Sequence, residues 1–351
     1  MAEPHDVVVI GAGQAGLATA YYLRRAGVDF VLLDASDEAG GAWRHGWDSL
    51  TLFSPASYSS LPGWMMPSSS PTRYPGRDDV VDYLARYEKR YGFRIERPVT
   101  VSDVRETPDG LAVCTDGETY HAKVVVSATG TWSAPYVPVY EGQGSFEGIQ
   151  LHSAHYRSAS DLVGKSVIVV GGGNSGAQIA AEVSEVAKLT WVTPQLPVFL
   201  PDDVDGRVLF ERANARVLGN DGASVGSLGD IVMVPPVKKA RDEGRLQSVR
   251  PFATIGKNSV VWEDGSSTAA DAIIWCTGFK PALGHLQGLG VLEEDGRVAN
   301  ENGRSLKQPR LWLAGYGNWT GAASATLLGA GRMARDVVPS IVDFLAARGK
   351  S

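Results

Sequence analysis

Two glycine-rich hexapeptides, Gly11-Ala12-Gly13-Gln14-Ala15-Gly16 and Gly171-Gly172-Gly173-Asn174-Ser175-Gly176, have the spacing that lets a main chain wrap a diphosphate. The first glycine permits a tight turn, the second lets the backbone approach the pyrophosphate, and the third lets a helix pack closely on a strand. The unbonded N–H groups and positive dipole end of the helix that follows then hold the phosphate oxygens. One such hexapeptide is weak, because glycine-rich surface turns are common. Two, each between a β-branched run and a helical spacing, are strong, and each predicts a bound dinucleotide.

The residue that ends the second strand of such a unit faces the adenosine ribose. In the first copy it is Asp34, eighteen residues beyond Gly16, and a carboxylate there accepts ribose hydroxyls. In the second copy the corresponding stretch is Thr193-Pro194-Gln195, with neither an acid for a free 2′-hydroxyl nor an Arg for a 2′-phosphate. Gln195 donates and accepts, so it commits to neither NADH nor NADPH. NADH is therefore expected to serve at least as well as NADPH, unless a cation such as Lys238, Lys239 or Arg207 arrives from elsewhere.

The elements that must position these residues follow from the hydrophobic pattern. Val7-Val8-Val9-Ile10 predicts a strand, Leu17, Ala20, Tyr21 and Leu23 fall at helical spacing, and Phe30-Val31-Leu32-Leu33 predicts a second strand. Val167 to Val170, Ala177 to Val186 and Leu189 to Val192 repeat that strand, helix and strand. A later pair also matches. Leu111-Ala112-Val113, a turn at Asp116-Gly117 and Lys123 to Ala128 end in Thr129-Gly130, while Val260-Val261-Trp262, Asp264-Gly265 and Asp271 to Cys276 end in Thr277-Gly278. In both, Thr follows the turn glycine by twelve residues, so each half reads as a βαβ unit plus a hairpin whose last strand returns to the nucleotide edge. The fold class is α/β with two Rossmann-like domains. Residues 1–155 and 284–351 are expected to form one domain, completed by a strand at Leu311-Trp312-Leu313-Ala314 and a long last helix, and residues 160–280 an inserted second.

Composition supports an ordinary globular protein: 351 residues, 44% hydrophobic and 21% charged, are enough for two cores. The net charge of −6, without a dense Lys/Arg run, argues against a nucleic-acid partner. No stretch reaches the ~18 apolar residues of a membrane span, and Met1 to Asp6 lacks a signal-peptide pattern, so a cytoplasmic location is expected. Cys114 and Cys276 lie in apolar runs and read as core thiols; there is no CxxC dithiol. His152 and His155 lack the further ligands a metal needs, and no metal site is expected.

These motifs resemble the flavin-containing monooxygenases over nearly the whole chain. The most diagnostic element is the linker pattern FxGxxxHxxxY, present as Phe146 to Tyr156 with Gly148 and His152 in place, just before the second glycine hexapeptide. The resemblance implies FAD at the first site and NADH or NADPH at the second. It implies that Gly40-Gly41-Ala42-Trp43-Arg44 is a flavin-contacting loop, with Gly41 and Trp43 beside the cofactor, that Val101 meets the adenine, and that Thr129-Gly130 closes over FAD. Thr277-Gly278 would lie beside the nicotinamide nucleotide. Asn318, in Gly315-Tyr316-Gly317-Asn318, stands where many relatives have Asp and can still hydrogen-bond the ribityl chain or a phosphate. Phe53 stands where many members carry an active-site Asn; a phenyl ring packs and excludes water but offers no hydrogen bond, which predicts leakage of reducing equivalents to hydrogen peroxide.

The resemblance further implies transfer of one oxygen atom of dioxygen, through a flavin hydroperoxide, to a small apolar, sulfur- or nitrogen-containing substrate. Thioether sulfoxidation, amine oxidation and Baeyer–Villiger oxidation of ketones are the reactions implied, with Leu52, Phe53, Trp64, Met65, Met66 and Trp319 as an apolar pocket and a homodimer as the assembly. One alternative is an NAD(P)H oxidase or electron-transfer flavin reductase without productive oxygenation; another is a nucleotide sensor without turnover. Product analysis with a methyl aryl sulfide separates the first, and bleaching of the yellow flavin by NADH excludes the second.

Overall fold

The computed structural model describes residues 4–68, 74–209 and 230–348. Of the stretch Met1 to Asp6, the first three residues lie outside that description. Strand β1 (His5–Ile10) is followed by helix α1 (Gln14–Arg25), β2 (Phe30–Leu33), helix α2 (Arg77–Tyr91), β3 (Ile95–Glu96), β4 (Val101–Thr107), β5 (Gly110–Thr115) and β6 (Thr119–Ser127). Next come β7 (Ile149–His152), β8 (Ser166–Val170), helix α3 (Asn174–Val186), β9 (Lys188–Val192), helix α4 (Pro235–Asp242), β10 (Ser248–Val249), β11 (Thr254–Ile255), β12 (Ser259–Val261), β13 (Ser267–Ala269) and β14 (Ala272–Trp275). Strands β15 (Asn300–Glu301), β16 (Arg304–Ser305) and β17 (Leu311–Leu313) and helix α5 (Leu327–Arg348) end the described chain.

The chain divides into two compact units. One comprises Met1–Arg44, Ala56–Ala134 and Lys280–Ser351, the other His45–Pro55 and Pro135–Phe279. Residues 45–55 and 135–155, which sequence alone assigned to the first domain, pack with the second. The reason for 149–152 is a sheet: β7 pairs in parallel with β14, from Ile149 opposite Ala272 to His152 opposite Trp275.

Each unit is built on five parallel strands in the same spatial order, β3-β2-β1-β6-β17 in the first and β10-β9-β8-β14-β7 in the second. Only the outermost strand has a different origin in the chain: β17 comes from the far end, β7 from the stretch preceding the second hexapeptide. The central strands are apolar on both faces, Val7 to Ile10 and Val167 to Val170 being almost fully buried, as a sheet covered on both sides requires. In the first unit Val8, Ile10, Val31, Leu33, Val125 and Leu313 share one core. In the second, Ile168, Val170, Val192, Ile273 and Trp275 do.

The hairpin that follows differs between the units. In the first, β6 pairs antiparallel with β5 at Thr119 to Ala122 and parallel with β1 from Ala122 onward, so one nine-residue strand does both. In the second the strand is broken: β13 closes an antiparallel sheet with β12 and β11, and after Ala270-Asp271 the chain re-enters the parallel sheet as β14. The expected returning strand, Asp271 to Cys276, is β14, but it is not the hairpin partner of β12: β13 takes that place, and the chain changes sheet where the Ala270 N–H bonds Asn258 O and the Asp271 N–H bonds Ser166 O. Among the described residues no helix is long and apolar enough to cross a membrane.

Candidate functional site

At both hexapeptides the backbone takes the same course. Gly11 (φ +102°) and Gly171 (φ +137°) lie in a region that side-chain-bearing residues avoid. A Cβ on Gly11 would stand 2.6 Å from the Ala128 carbonyl oxygen, and one on Gly171 2.2 Å from that of Cys276. Each first glycine is therefore pressed against the strand end that carries Thr129-Gly130 or Thr277-Gly278. The third glycines are equally forced: Cβ atoms on Gly16 and Gly176 would fall 1.9 and 2.1 Å from the carbonyl oxygens of Gly11 and Gly171. Gly13 and Gly173 stand before α1 and α3 in extended conformation, and a Cβ on Gly13 would meet open space. The first-turn N–H groups of Gln14, Ala15, Asn174 and Ser175 have no partner within their own helices. Two glycine turns that each open onto a helix N-terminus fit a pyrophosphate each.

Around the first cradle the structure brings Gly41, Trp43 and Gly315 against Gly13, Gln14 and Ala15. Gly41 (φ +53°) lies so close that its Cβ would be 2.9 Å from Gly13 Cα. Trp43 Nε1 donates to Gln14 Oε1 at 2.9 Å, and Gln14 Nε2 donates to Ala325 O, so the Gln14 side chain ties the loop to the approach of α5. Gly315 packs against Ala15, where its Cβ would be 2.4 Å from the Ala15 methyl. Asn318 is exposed, its Oδ1 accepting the Ala323 N–H. Val101 begins β4, half-buried against the first core.

Sequence reasoning passed over two features here. Arg97, one residue beyond β3, donates to Asp34 Oδ2 from Nε (3.0 Å) and Nη2 (2.9 Å) and to both oxygens of Glu88. All three side chains are largely buried, so the guanidinium offsets the charge that burial would otherwise penalise. Among the described residues Asp34 Oδ1 receives the Ser36 N–H alone, at 3.3 Å, which leaves acceptor capacity for a ribose. The second feature is a buried chain of hydroxyls beneath Thr129. Tyr316 OH lies 2.6 Å from Ser127 Oγ and 2.7 Å from Thr129 Oγ1 and accepts the Thr129 N–H; Ser127 Oγ is 3.0 Å from His285 Nε2, and Thr129 Oγ1 donates to Ala282 O. Isolated Ser, Tyr and His residues far apart in sequence carry no local signal of such a chain.

At the second cradle the Asn174 amide bridges main chain, donating to Asp230 O and accepting from Val232 N, both at 2.9 Å. Thr193 is buried, its side chain against Gly172, and Gln195 is exposed. Thr277 Oγ1 donates to Tyr136 O. Gly278 (φ +81°) is held through its carbonyl by the Tyr136 N–H and by His152 Nε2 at 3.0 Å. With the Ala154 N–H on Nδ1, His152 is the Nε2–H tautomer, and burial pushes its pKa below the ordinary histidine value. Gly148 fits under the Phe146 ring, Tyr156 is buried, and His155 is exposed. The linker pattern therefore supports the Thr277-Gly278 edge within its own unit. Burial pushes the Cys276 thiol up to about 12, so it stays a thiol.

The residues expected to line an apolar pocket belong to both units, Leu52 and Phe53 to the second and Trp64, Met65, Met66 and Trp319 to the first. Phe53 packs on Gly206 beside Leu200, Val204, Leu209 and Val232 in the second unit, and its carbonyl accepts the Gly206 N–H. In the first unit Trp64 lies beside Tyr83 under the guanidinium groups of Arg86 and Arg90, while Trp319 belongs to a separate group with Tyr316. Leu52 and Met66 are buried, and Met65 is 62% exposed. Among the described residues no group of His, Cys, Asp or Glu is placed to hold a metal ion.

Comparison with known proteins agrees with this geometry. The model of the family described as "Pyridine nucleotide-disulphide oxidoreductase" matches residues 8–203. A flavin-containing monooxygenase from Stenotrophomonas maltophilia shares 49% identity over 98% of this chain and 99% of its own, with a TM-score of 0.90. An uncharacterized oxidoreductase, CzcO, of Bacillus subtilis (strain 168) is 32% identical over 95% of this chain and 98% of its own. An indole-3-pyruvate monooxygenase, YUCCA1, of Oryza sativa subsp. japonica is 28% identical over 95% of this chain and 90% of its own. Two glycine cradles of one geometry and these likenesses converge: the chain belongs to the pyridine nucleotide-disulphide oxidoreductase family, as one of its flavin-containing monooxygenases.

Proposed function

We propose that the first unit holds FAD, the second holds NADH or NADPH, and the enzyme transfers one atom of dioxygen to a small soft nucleophile such as a thioether sulfur or an amine, with ketones as further substrates. The observation that carries this reading is the duplicated cradle, in which each first glycine is pressed against a strand ending in Thr-Gly. FAD supplies hydride acceptance from the nicotinamide and activation of dioxygen. The chain's residues hold the partners. Main-chain N–H groups from Gly11 to Gly16 would hold the FAD pyrophosphate, Asp34 the ribose through its free acceptor capacity, and Val101 the adenine. Gly41, Trp43, Thr129, Gly130 and Asn318 line the remainder of the cofactor. Gly171 to Gly176, Thr193, Gln195, Thr277 and Gly278 form the coenzyme site.

The overall balance is substrate, dioxygen, NAD(P)H and a proton giving oxygenated substrate, water and NAD(P)+. Incubating FAD-loaded enzyme with NADPH, a methyl aryl sulfide and ¹⁸O₂ should give sulfoxide with one labelled oxygen. Oxidation of coenzyme with hydrogen peroxide as its sole oxygen product would instead establish an oxidase.

A further inference from the structure

The two units match beyond their glycine cradles. In each, the third parallel strand ends immediately before an Arg-Pro pair: β3 before Arg97-Pro98 and β10 before Arg250-Pro251. The register is the same, since the N–H of the residue after the second strand bonds the last carbonyl of the third, Asp34 to Glu96 O in the first unit and Thr193 to Val249 O in the second. Arg250 is thus the positional twin of Arg97, and Thr193 that of Asp34. The two arginines have different partners. Arg97 is enclosed by Asp34 and Glu88. For Arg250 the acid is replaced by Thr193, and the residue nine positions upstream is Arg241 where the first unit has Glu88.

Arg250 is exposed, and its Nη1 donates to the carbonyl of Pro194. That bond brings the guanidinium to the carbonyl of Pro194, which lies between Thr193 and Gln195 in the chain, at the strand end that faces an adenosine ribose. Among the described residues it makes no ion pair. The cations named from sequence are all engaged nearby: Lys238 with Asp202, Lys239 with Glu185, and Arg207 with Asp205. A guanidinium has five N–H donors in a planar fork that matches a phosphate, and one bond to a carbonyl leaves most of them available.

We propose that Arg250 is the specificity-determining residue for the coenzyme, receiving the 2′-phosphate of NADPH. This rests on the second unit being the coenzyme site, and it replaces the expectation that NADH serves at least as well as NADPH. An acid there would favour the free 2′-hydroxyl; an arginine without an ion pair among the described residues favours the phosphate.

The test is calorimetric titration of the FAD-loaded enzyme with 2′,5′-ADP and with 5′-ADP, which differ in the 2′-phosphate. Wild-type enzyme should bind 2′,5′-ADP about tenfold more tightly at low salt, and the preference should shrink as salt screens it. Arg250→Ala should remove the preference while leaving 5′-ADP affinity within about twofold, and Arg250→Lys, which keeps the charge without the fork, should retain part of it. Thermal melting of both variants at the wild-type temperature shows that the unit is intact. A preference that survives in Arg250→Ala, equal loss of both ligands, or equal binding of both by the wild type overturns the role of Arg250. Binding of neither ligand by the wild type overturns the coenzyme reading of the second unit and this inference with it.

Discussion

His285 shows how a single buried residue couples this fold to pH. It is 7% exposed, and burial lowers its pKa to about 4, with Asp103 pulling weakly the other way. An unfolded chain takes up a proton at such a residue below about 6.5. The folded chain refuses it until about 4, so the stabilisation is complete above about 6.5 and is lost as pH falls from there toward 4. The difference corresponds to roughly 3 kcal/mol. His152, shifted in the same direction, adds to the slope. Melting temperatures at pH 7 and pH 4.5 should therefore fall less in His285→Asn than in wild type, even though the variant starts lower by about 1 kcal/mol for the weakened bond to Ser127. Equal acid sensitivity in the two proteins would show that His285 is protonated in the folded state.

At the scale of elements, the cradles make separable predictions. Gly16→Ala drives a methyl to within 1.9 Å of the Gly11 carbonyl oxygen, so α1 must move away from β1. The protein should be recovered colourless or with FAD that dialyses away. Gly176→Ala produces the same conflict at 2.1 Å in the second unit, where the predicted outcome is a yellow protein whose flavin is reduced by NADPH at least about a hundredfold more slowly, a loss of roughly 3 kcal/mol. Absorbance at the flavin band and stopped-flow reduction read the two results. Should Gly176→Ala lose FAD and Gly16→Ala keep it, the assignment of cofactors to units would be reversed.

For the whole molecule, the open quantity is how much coenzyme oxidation ends in product. On the resemblance to the flavin-containing monooxygenases, Phe53 would present a ring where many members carry an active-site amide, and it packs on Gly206 within an apolar group. We expect a measurable share of NADPH electrons to appear as hydrogen peroxide, and Phe53→Asn to lower that share by roughly half while lowering stability by about 2 kcal/mol through lost packing. Peroxide assay alongside NADPH consumption decides it; full coupling in the wild type would remove any role for Phe53 in leakage.

The amino-acid sequence by itself determined the two cradles, the strands and helices beside them, and that each cradle suits a dinucleotide. Each of these depends on residues adjacent in the chain, where glycine spacing and apolar periodicity act locally. The tertiary structure decided what depends on residues distant in sequence. It brought Arg97 to Asp34 and Glu88, joined His285, Ser127, Tyr316 and Thr129 through hydroxyls, moved residues 45–55 and 135–155 to the second unit, and gave β12 a hairpin partner, β13, separate from the returning strand β14. It also set Arg250 beside Thr193 by pairing β10 with β9. Strand order and hydrogen-bond register are properties of the assembled sheet, and no run of neighbouring residues encodes which cation will stand at the end of another strand.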